Sequence, residues 1–150
     1  KNLMYDRNSG NVKLVDFGMA QKVKGKLKDD TYAVSLLSTP KYVPPEMATE
    51  FKSYKTSDVF QLGVLFHELL TGYHPFAACN FEEGDSYRES EIVKYALANL
   101  CNERDKEYDV LKQNPEIDSL VESMLDKDYK KRPKPSVVRD KLDEIIENYG

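Results

Sequence analysis

The sequence predicts a mainly α-helical fold with one small β-hairpin, built around a buried central helix at about residues 57–71. Between Thr56 and Gly72 the apolar residues are spread round the whole helical cylinder, which is typical of a buried helix. Two short apolar runs at the start of the chain are separated by turn-forming residues, which is typical of a hairpin. With 150 residues, of which 40% are hydrophobic, the chain is long enough for one domain with its own core.

The hairpin is the first predicted element. Residues 3–5 and 12–15 are the apolar runs, and the Asp-Arg-Asn-Ser-Gly-Asn stretch between them favours a turn. The tripeptide Asp16-Phe17-Gly18 follows the second run directly. Residues 21–37 are polar with lysines at alternate positions, which is typical of a solvated loop, and a loop that receives or recognises phosphate is the alternative.

The central helix is the most strongly marked element. Thr56 or Ser57 is predicted to cap its N-terminus, and Gly72 is predicted to end it. Such a helix is about 25 Å long. It is shorter than a typical membrane span and contains Asp58, so we interpret it as the centre of a globular domain.

Shorter helices are predicted on both sides of the central helix. Proline suits the first turn of a helix, and prolines begin two of these segments. Apolar residues at helical spacing mark the other two. The predicted segments are Pro45 to about Thr49, Glu89–Leu100, Pro115–Leu125, and Ser136 to about Asn148.

Composition and charge exclude several classes of function. The 26 acidic and 22 basic residues give a net charge of -4, which argues against a general nucleic-acid or membrane binder. Cys79 and Cys101 lack the close pairing of a metal site, and His67 and His74 are isolated. This cysteine usage predicts a reduced, intracellular setting, and we expect the protein to be cytoplasmic.

Four features occur in an order typical of one protein family. They are the hairpin, Asp16-Phe17-Gly18, Pro44-Pro45-Glu46, and the central helix with Asp58 in its first turn. In this order and at this spacing the sequence resembles the large lobe of a eukaryotic serine/threonine protein kinase, from the end of the catalytic loop to the last helix. The resemblance covers essentially the whole chain and implies three parts: a metal-binding hairpin at 1–18, an activation segment at 16–46, and a helical subdomain at 47–150.

The resemblance assigns the hairpin to ATP and Mg²⁺. Asn2 and Asp16 match the two metal-ligating residues of the family, and oxygen ligands suit Mg²⁺. Taken alone, Asn2 reads equally as the entry to a strand. Met4 matches the residue beneath the adenine ring, with plain core packing as its alternative. The resemblance also implies that Phe17 packs inward and that Gly18 gives the backbone the freedom to move Asp16.

The activation segment would carry regulation and substrate docking. Thr31, Tyr32 and Ser35 match positions where kinases are commonly phosphorylated, which adds charge that basic side chains can hold. Thr39 matches the threonine near the substrate hydroxyl. Ser38 stands where the family usually has glycine, which reduces backbone freedom at that position.

Three further residues have structural roles in the family. Glu46, in a motif whose first residue is proline where alanine is usual, is expected to pair with Arg132. A surface base in a basic run is the alternative for Arg132. Asp58 matches the aspartate that accepts backbone N–H groups from the catalytic loop, and a simple helix-dipole role is its alternative.

The expected activity is ATP- and Mg²⁺-dependent transfer of the γ-phosphate to serine or threonine hydroxyls of a protein substrate. The catalytic aspartate would lie before Lys1, and the small lobe of the same domain is an expected partner, so the chain by itself is expected to be inactive. A pseudokinase or docking module, with partners bound near residues 89–100, is the alternative. The residues before Lys1 would distinguish the two, because His-Arg-Asp there supports catalysis.

Overall fold

The computed structural model describes residues 2–18, 20, 32–33, 39–50, 52–76, 99, 103–105 and 107–149. This part of the chain is mainly helical with two small β-ladders. In chain order its elements are β1 (Leu3–Tyr5), β2 (Val12–Leu14), β3 (Tyr32–Ala33), a 3₁₀ turn (Pro40–Tyr42), α1 (Pro45–Thr49), β4 (Lys52–Ser53), α2 (Lys55–Thr71), α3 (Asp109–Lys112), α4 (Pro115–Met124) and α5 (Pro135–Tyr149).

The predicted hairpin is present as the antiparallel pair β1 and β2, with Leu3 opposite Leu14 and Tyr5 opposite Val12. The Asp6 carboxylate holds the turn, because it accepts hydrogen bonds from the Asn8 backbone N–H at 3.0 Å and from the Ser9 hydroxyl at 2.8 Å. These bonds lower the pKa of Asp6.

The apolar side chains of the hairpin are exposed on both faces. Phe17, directly after it, is 63% exposed, so the prediction that Phe17 packs inward is wrong in this structure. The physical reason is that a two-stranded ladder with three residues per strand is too small to bury its own two faces. The buried cores formed by the described residues contain helix and loop side chains but none from the hairpin.

A second ladder was not predicted. β3 pairs antiparallel with β4, with Tyr32 opposite Ser53. It joins the segment before α1 to the approach to α2. Its two-residue strands are too short for an alternating pattern to be visible in the sequence.

The long helix α2 contains the predicted central helix and begins earlier than predicted. Tyr54 is the residue before its first turn, and Ser57 is the third helical residue, whose hydroxyl accepts the Tyr54 backbone N–H at 2.8 Å. The prediction of an N-cap at Thr56 or Ser57 is therefore wrong. Gly72 ends the helix with a positive φ of 81°, as the sequence indicated.

Two adjoining clusters of apolar side chains form the core of the described residues. One cluster joins α2 to α4 and the turn after α2, and contains Phe60, Val64, Phe76, Val121 and Leu125. The other joins α2, α4 and α5, and contains Val59, Leu120, Met124 and Val138. The opposite side of α2 is open, with Leu69 74% exposed, so the prediction of a helix buried all round is wrong for this structure.

The remaining helices follow the prediction with small differences. Prolines occupy the first turns of α1, α4 and α5, where a missing backbone N–H costs nothing. The short helix α3 lies in a polar stretch that gave no clear sequence signal. The helix predicted at 89–100 lies outside the described residues, apart from Asn99. No helix in the described part of the chain is long and apolar enough to cross a membrane.

Candidate active site

Asn2 and Asp16 lie at the open end of the hairpin. The Val15 backbone N–H donates to the Asn2 carbonyl oxygen at 2.8 Å, which continues the ladder register by one residue and places Asn2 opposite Val15, one position before Asp16. Both residues are exposed. The hairpin therefore brings the backbone of Asn2 within one ladder position of Asp16, and the use of both side chains as metal ligands stays a prediction.

The backbone at Asp16 is strained. Its φ is +64°, and Asp16 is the one non-glycine residue with positive φ among the described residues. The Gly18 backbone N–H donates to the Asp16 Oδ1 atom at 3.2 Å. A Cβ atom on Gly18 would lie 3.2 Å from the same oxygen, so glycine permits this close approach. Strain of this kind is concentrated at functional sites.

The donor set at this end of the hairpin suits a hard cation. Asn2 offers an amide oxygen and Asp16 a carboxylate, both open to solvent. The described residues contain no group of three or more His, Cys, Asp or Glu side chains that would hold a metal ion.

The other predicted ligand and substrate residues are more scattered. Met4 lies on β1 opposite Lys13 with its side chain 62% exposed, so it is not a core residue here. Thr39 is exposed, and its carbonyl oxygen accepts the Tyr42 backbone N–H at 3.1 Å. Tyr32 lies on β3. Thr31 and Ser35 lie outside the described residues.

The predicted pair of Glu46 and Arg132 is present. Arg132 Nη1 donates to Glu46 Oε1 and Nη2 donates to Glu46 Oε2, each at 2.7 Å, which is a bidentate ion pair. The two side chains are 0% and 2% exposed, so the alternative of a surface base is excluded for Arg132. The Ser57 hydroxyl also donates to Glu46 Oε1, at 2.6 Å. The pair ties α1 to the connection before α5.

Asp58 lies in the first turn of α2 at the edge of a groove of about 370 Å³ between α2 and α5. The groove is mainly apolar, and its lining includes Val59, Leu62, Val138, Leu142 and Ile146. No hydrogen bond joins the Asp58 carboxylate to another described residue. Desolvation against the groove raises the pKa of Asp58.

Comparison with known proteins decides the family. The protein kinase domain model matches residues 1–142. The chain belongs to the protein kinase family.

Several kinases are similar to this chain. The dual specificity protein kinase shkC of Dictyostelium discoideum is 33% identical over 97% of the chain and 26% of its own length. A probable serine/threonine-protein kinase of the same organism is 28% identical over 91% of the chain and 32% of its own length. The cAMP-dependent protein kinase type 3 of Saccharomyces cerevisiae is 39% identical over 53% of the chain and 18% of its own length. The chain spans about a third or less of these relatives.

The structure contains a polar cluster on α2 that the sequence prediction missed. Lys41 Nζ donates to both carboxylate oxygens of Glu68, at 2.9 and 3.0 Å, and the Tyr42 hydroxyl donates to Glu68 Oε2 at 2.9 Å. Glu68 is on α2, whereas Lys41 and Tyr42 directly follow Thr39 and Pro40. The one signal in the sequence was a charged residue among the apolar residues of the central helix.

The backbone of the same segment is held by two further side chains. The His74 Nε2 atom lies 2.9 Å from the Lys41 carbonyl oxygen, and Asn99 Nδ2 donates to the Val43 carbonyl oxygen at 2.7 Å. Lys127 Nζ in turn donates to the Asn99 carbonyl oxygen. These contacts place residues 41–43 of the kinase domain in a defined position against α2.

His67 is a buried titratable group near the end of α2. Its Nδ1 atom lies 2.9 Å from the Tyr73 carbonyl oxygen, and its ring packs against Tyr108 in a T-shaped arrangement. Burial lowers the pKa of His67, and the nearby positive charge of Arg104 adds to this effect. The imidazole is therefore held in its neutral form.

Proposed function

We propose that this kinase transfers the γ-phosphate of ATP to serine or threonine hydroxyls of proteins and depends on Mg²⁺. The observation that carries the proposal is the hairpin end, where Asp16, with its strained backbone, directly follows the residue that pairs with Asn2, in a chain that matches the kinase domain along residues 1–142. Because the chain spans a third or less of its curated relatives, the proposal concerns the whole protein.

Each site residue has a physical role in this proposal. Asp16 and Asn2 hold Mg²⁺ with oxygen ligands, and the bound ion would offset the negative charge of the ATP phosphates. Gly18 fixes one oxygen of Asp16 by its backbone N–H, which leaves Oδ2 for the cation. Met4, exposed on β1, would contact the adenine ring, and Thr39 would lie near the acceptor hydroxyl.

The large-lobe division of the chain belongs to the same proposal. Residues 1–18 form the metal-binding hairpin, 16–46 the activation segment and 47–150 the helical subdomain. The small lobe of the domain and a protein substrate are the partners that this arrangement needs. Phosphorylation at Thr31, Tyr32 or Ser35 would regulate the activation segment by added charge.

The choice of serine and threonine as acceptors is supported by the similarity to the probable serine/threonine-protein kinase of Dictyostelium discoideum. The relative shkC is described as a dual specificity kinase, so tyrosine peptides belong in any assay of this protein. Thr39 in the segment before α1 supports the serine/threonine assignment, through the resemblance of that segment to serine/threonine kinases.

Metal-dependent ATP binding tests the metal-site assignment. In the protein that contains this chain, ATP affinity is measured with and without Mg²⁺ by isothermal titration. We expect Asp16→Asn to weaken Mg²⁺-dependent binding by at least about tenfold, or about 1.4 kcal/mol. Asp6→Asn is the matched control, because Asp6 is a carboxylate at the opposite end of the same hairpin and its amide replacement keeps an oxygen that accepts the Asn8 backbone N–H.

The same titration separates the proposal from its alternative. An ATP affinity that does not depend on Mg²⁺, or that is equal in Asp16→Asn and Asp6→Asn, would contradict the roles of Asn2 and Asp16. Absence of metal-dependent ATP binding in the unmodified protein would favour a pseudokinase or docking module built on the kinase fold.

A further inference from the structure

Glu68 is a carboxylate whose charge is balanced from within the chain. It is largely buried, with 18% of its side chain exposed, whereas Lys41, which lies over it, is 36% exposed. Both carboxylate oxygens accept hydrogen bonds from the Lys41 ammonium, and one also accepts the Tyr42 hydroxyl. A molecule that approaches this surface therefore meets Lys41 before it meets Glu68.

The electrostatics of the cluster agree with a tight pair. Burial by itself would lower the pKa of Lys41, but the hydrogen bonds and negative charge of Glu68 outweigh burial and raise it. Burial and the neighbouring Glu68 also raise the pKa of Tyr42, although Lys41 opposes this shift. The cluster thus pairs the Lys41 ammonium with the Glu68 carboxylate, and the Tyr42 hydroxyl completes it.

The cluster lies beside the proposed docking segment. The 3₁₀ turn Pro40–Tyr42 follows Thr39 directly and is closed by the hydrogen bond from the Tyr42 N–H to the Thr39 carbonyl. The carbonyl of Lys41 is in turn held by His74. The ammonium of Lys41 is therefore presented from a fixed backbone.

We propose that Lys41 is a specificity-determining residue of this kinase: it acts as the internal counter-ion of Glu68 and prevents this surface from selecting peptides with a basic residue. The inference rests on the proposed function, since it takes Thr39 to lie at the substrate. The relevant substrate class is peptides that are neutral at the position facing the cluster.

The physical reason is competition between a tethered and a free cation. An ammonium held in the same chain acts at an effective concentration of the order of millimolar or above, so a peptide arginine at micromolar concentration does not displace it. Without Lys41, Glu68 keeps one hydroxyl donor and an uncompensated charge. An arginine guanidinium is then the best available partner, because it bonds a carboxylate through two N–H groups.

The experiment measures peptide binding by fluorescence anisotropy, using serine-containing peptides in which one arginine is moved through each position around the serine. The protein that contains this chain is compared with Lys41→Met. We expect Lys41→Met to bind peptides with arginine at one particular position about tenfold more tightly, with a smaller gain for Lys41→Gln, which keeps a donor toward Glu68. The all-neutral peptide should bind equally to all three proteins.

Two controls assign the effect to the pair. Lys112→Met removes one positive charge from an exposed pair with Glu107 and should leave arginine preference unchanged. Lys41→Met combined with Glu68→Gln should lose the gain. Thermal unfolding of each variant verifies that it is folded before binding is compared.

The outcomes separate the inference from the function on which it rests. Binding is measured whether or not phosphate is transferred, so a protein without kinase activity still reports on Lys41. The inference is overturned if Lys41→Met shows no preference for arginine at any peptide position. It is also overturned if the tighter binding of arginine peptides persists when Lys41→Met is combined with Glu68→Gln. Tighter arginine binding in an inactive protein supports the inference and contradicts the proposed catalytic function.

Discussion

Arg132 is the residue whose environment is most completely specified in the described structure. A guanidinium has five N–H groups. In this structure they donate to both carboxylate oxygens of Glu46 and to the backbone carbonyls of Thr56, Asp126 and Lys127. The guanidinium also lies 4.7 Å from the centre of the Phe60 ring. Removal of the side chain therefore leaves a buried carboxylate with one remaining donor, the Ser57 hydroxyl.

We predict that Arg132→Ala lowers the free energy of unfolding by about 3–5 kcal/mol, because it strands the Glu46 charge in the interior. Lys130→Ala, two residues away and exposed, should change it by less than about 0.5 kcal/mol. Arg132→Lys should fall between them, since an ammonium keeps the charge and loses the bidentate geometry. Urea unfolding of the chain measures all three, and equal midpoints for Arg132→Ala and Lys130→Ala would refute the role of the pair.

His67 predicts how stability depends on pH. Burial lowers its folded-state pKa below the ordinary value of 6.5, so the folded chain binds fewer protons than the unfolded chain. The stabilising effect is complete above about pH 6.5 and is lost as the pH falls through the folded-state pKa. Arg104, which lies nearby, makes protonation of the imidazole more costly.

The measurement is the free energy of unfolding between pH 8 and pH 5 for the unmodified chain and for His67→Phe. The unmodified chain should lose stability below about pH 6.5. His67→Phe should be less stable at pH 8, because the bond to the Tyr73 carbonyl is gone, but should lose less on acidification. Parallel pH profiles for the two proteins would show that His67 is not the group responsible.

Sequence reasoning found some residue roles and missed others for identifiable reasons. The pair of Glu46 and Arg132 was predictable, since the family resemblance names both residues. The pair of Lys41 and Glu68 was not predictable, because the sequence already accounted for Lys41 as part of a loop and for Glu68 as part of a helix. Phe17 was predicted inward from the family resemblance, and its exposure follows from the uncovered hairpin.

At the scale of elements, the contact between α2 and α4 depends on Gly63. A Cβ atom there would lie 3.0 Å from Met124 Cβ and 3.1 Å from Leu125 Cδ2. The first of these atoms is attached to the backbone and moves only if α4 moves. The glycine therefore sets how closely the two helices approach.

Gly63→Ala has two effects on stability that oppose each other. Better helix propensity contributes about 1 kcal/mol in favour, while overpacking costs about 1–3 kcal/mol. Because a Cβ atom near the backbone is one of the clashing partners, we expect net destabilisation of about 1 kcal/mol. Leu69→Ala, at an exposed position on the same helix, is the control and should have little effect. A more stable Gly63→Ala chain would mean that α4 adjusts without cost.

Element boundaries show where local signals are sufficient. Gly72 and the prolines at helix starts were read correctly, because each acts through its own backbone geometry. The start of α2 was predicted late because Ser57 has the side chain of a cap but accepts the Tyr54 N–H from inside the first turn and donates to Glu46. That second bond is long-range and invisible in a local pattern. β3 and β4 were missed for the same reason.

At the scale of the whole molecule, the mainly helical fold, its long helix α2 and the hairpin were predictable, because they depend on apolar periodicity and turn-forming residues. The exposed hairpin, the open side of α2 and the groove beside Asp58 were not. They depend on which surfaces of the helices and the hairpin pack against each other, and the hydrophobic pattern of the sequence does not specify those contacts. The apolar residues that predict burial also occur on surfaces that remain exposed in the described part of the chain.

Phosphate transfer is the most direct test of the central claim, that Asp16 is part of the catalytic metal site of a protein kinase. The protein that contains this chain is incubated with radiolabelled ATP, Mg²⁺ and a mixture of serine-, threonine- and tyrosine-containing peptides, alongside its Asp16→Asn and Asp6→Asn variants. We predict Mg²⁺-dependent labelling of serine or threonine by the unmodified protein and by Asp6→Asn, and loss of at least about a hundredfold in rate, equal to about 2.7 kcal/mol, with Asp16→Asn. Equal labelling by Asp16→Asn, or no labelling by a folded protein that binds ATP, would contradict the claim.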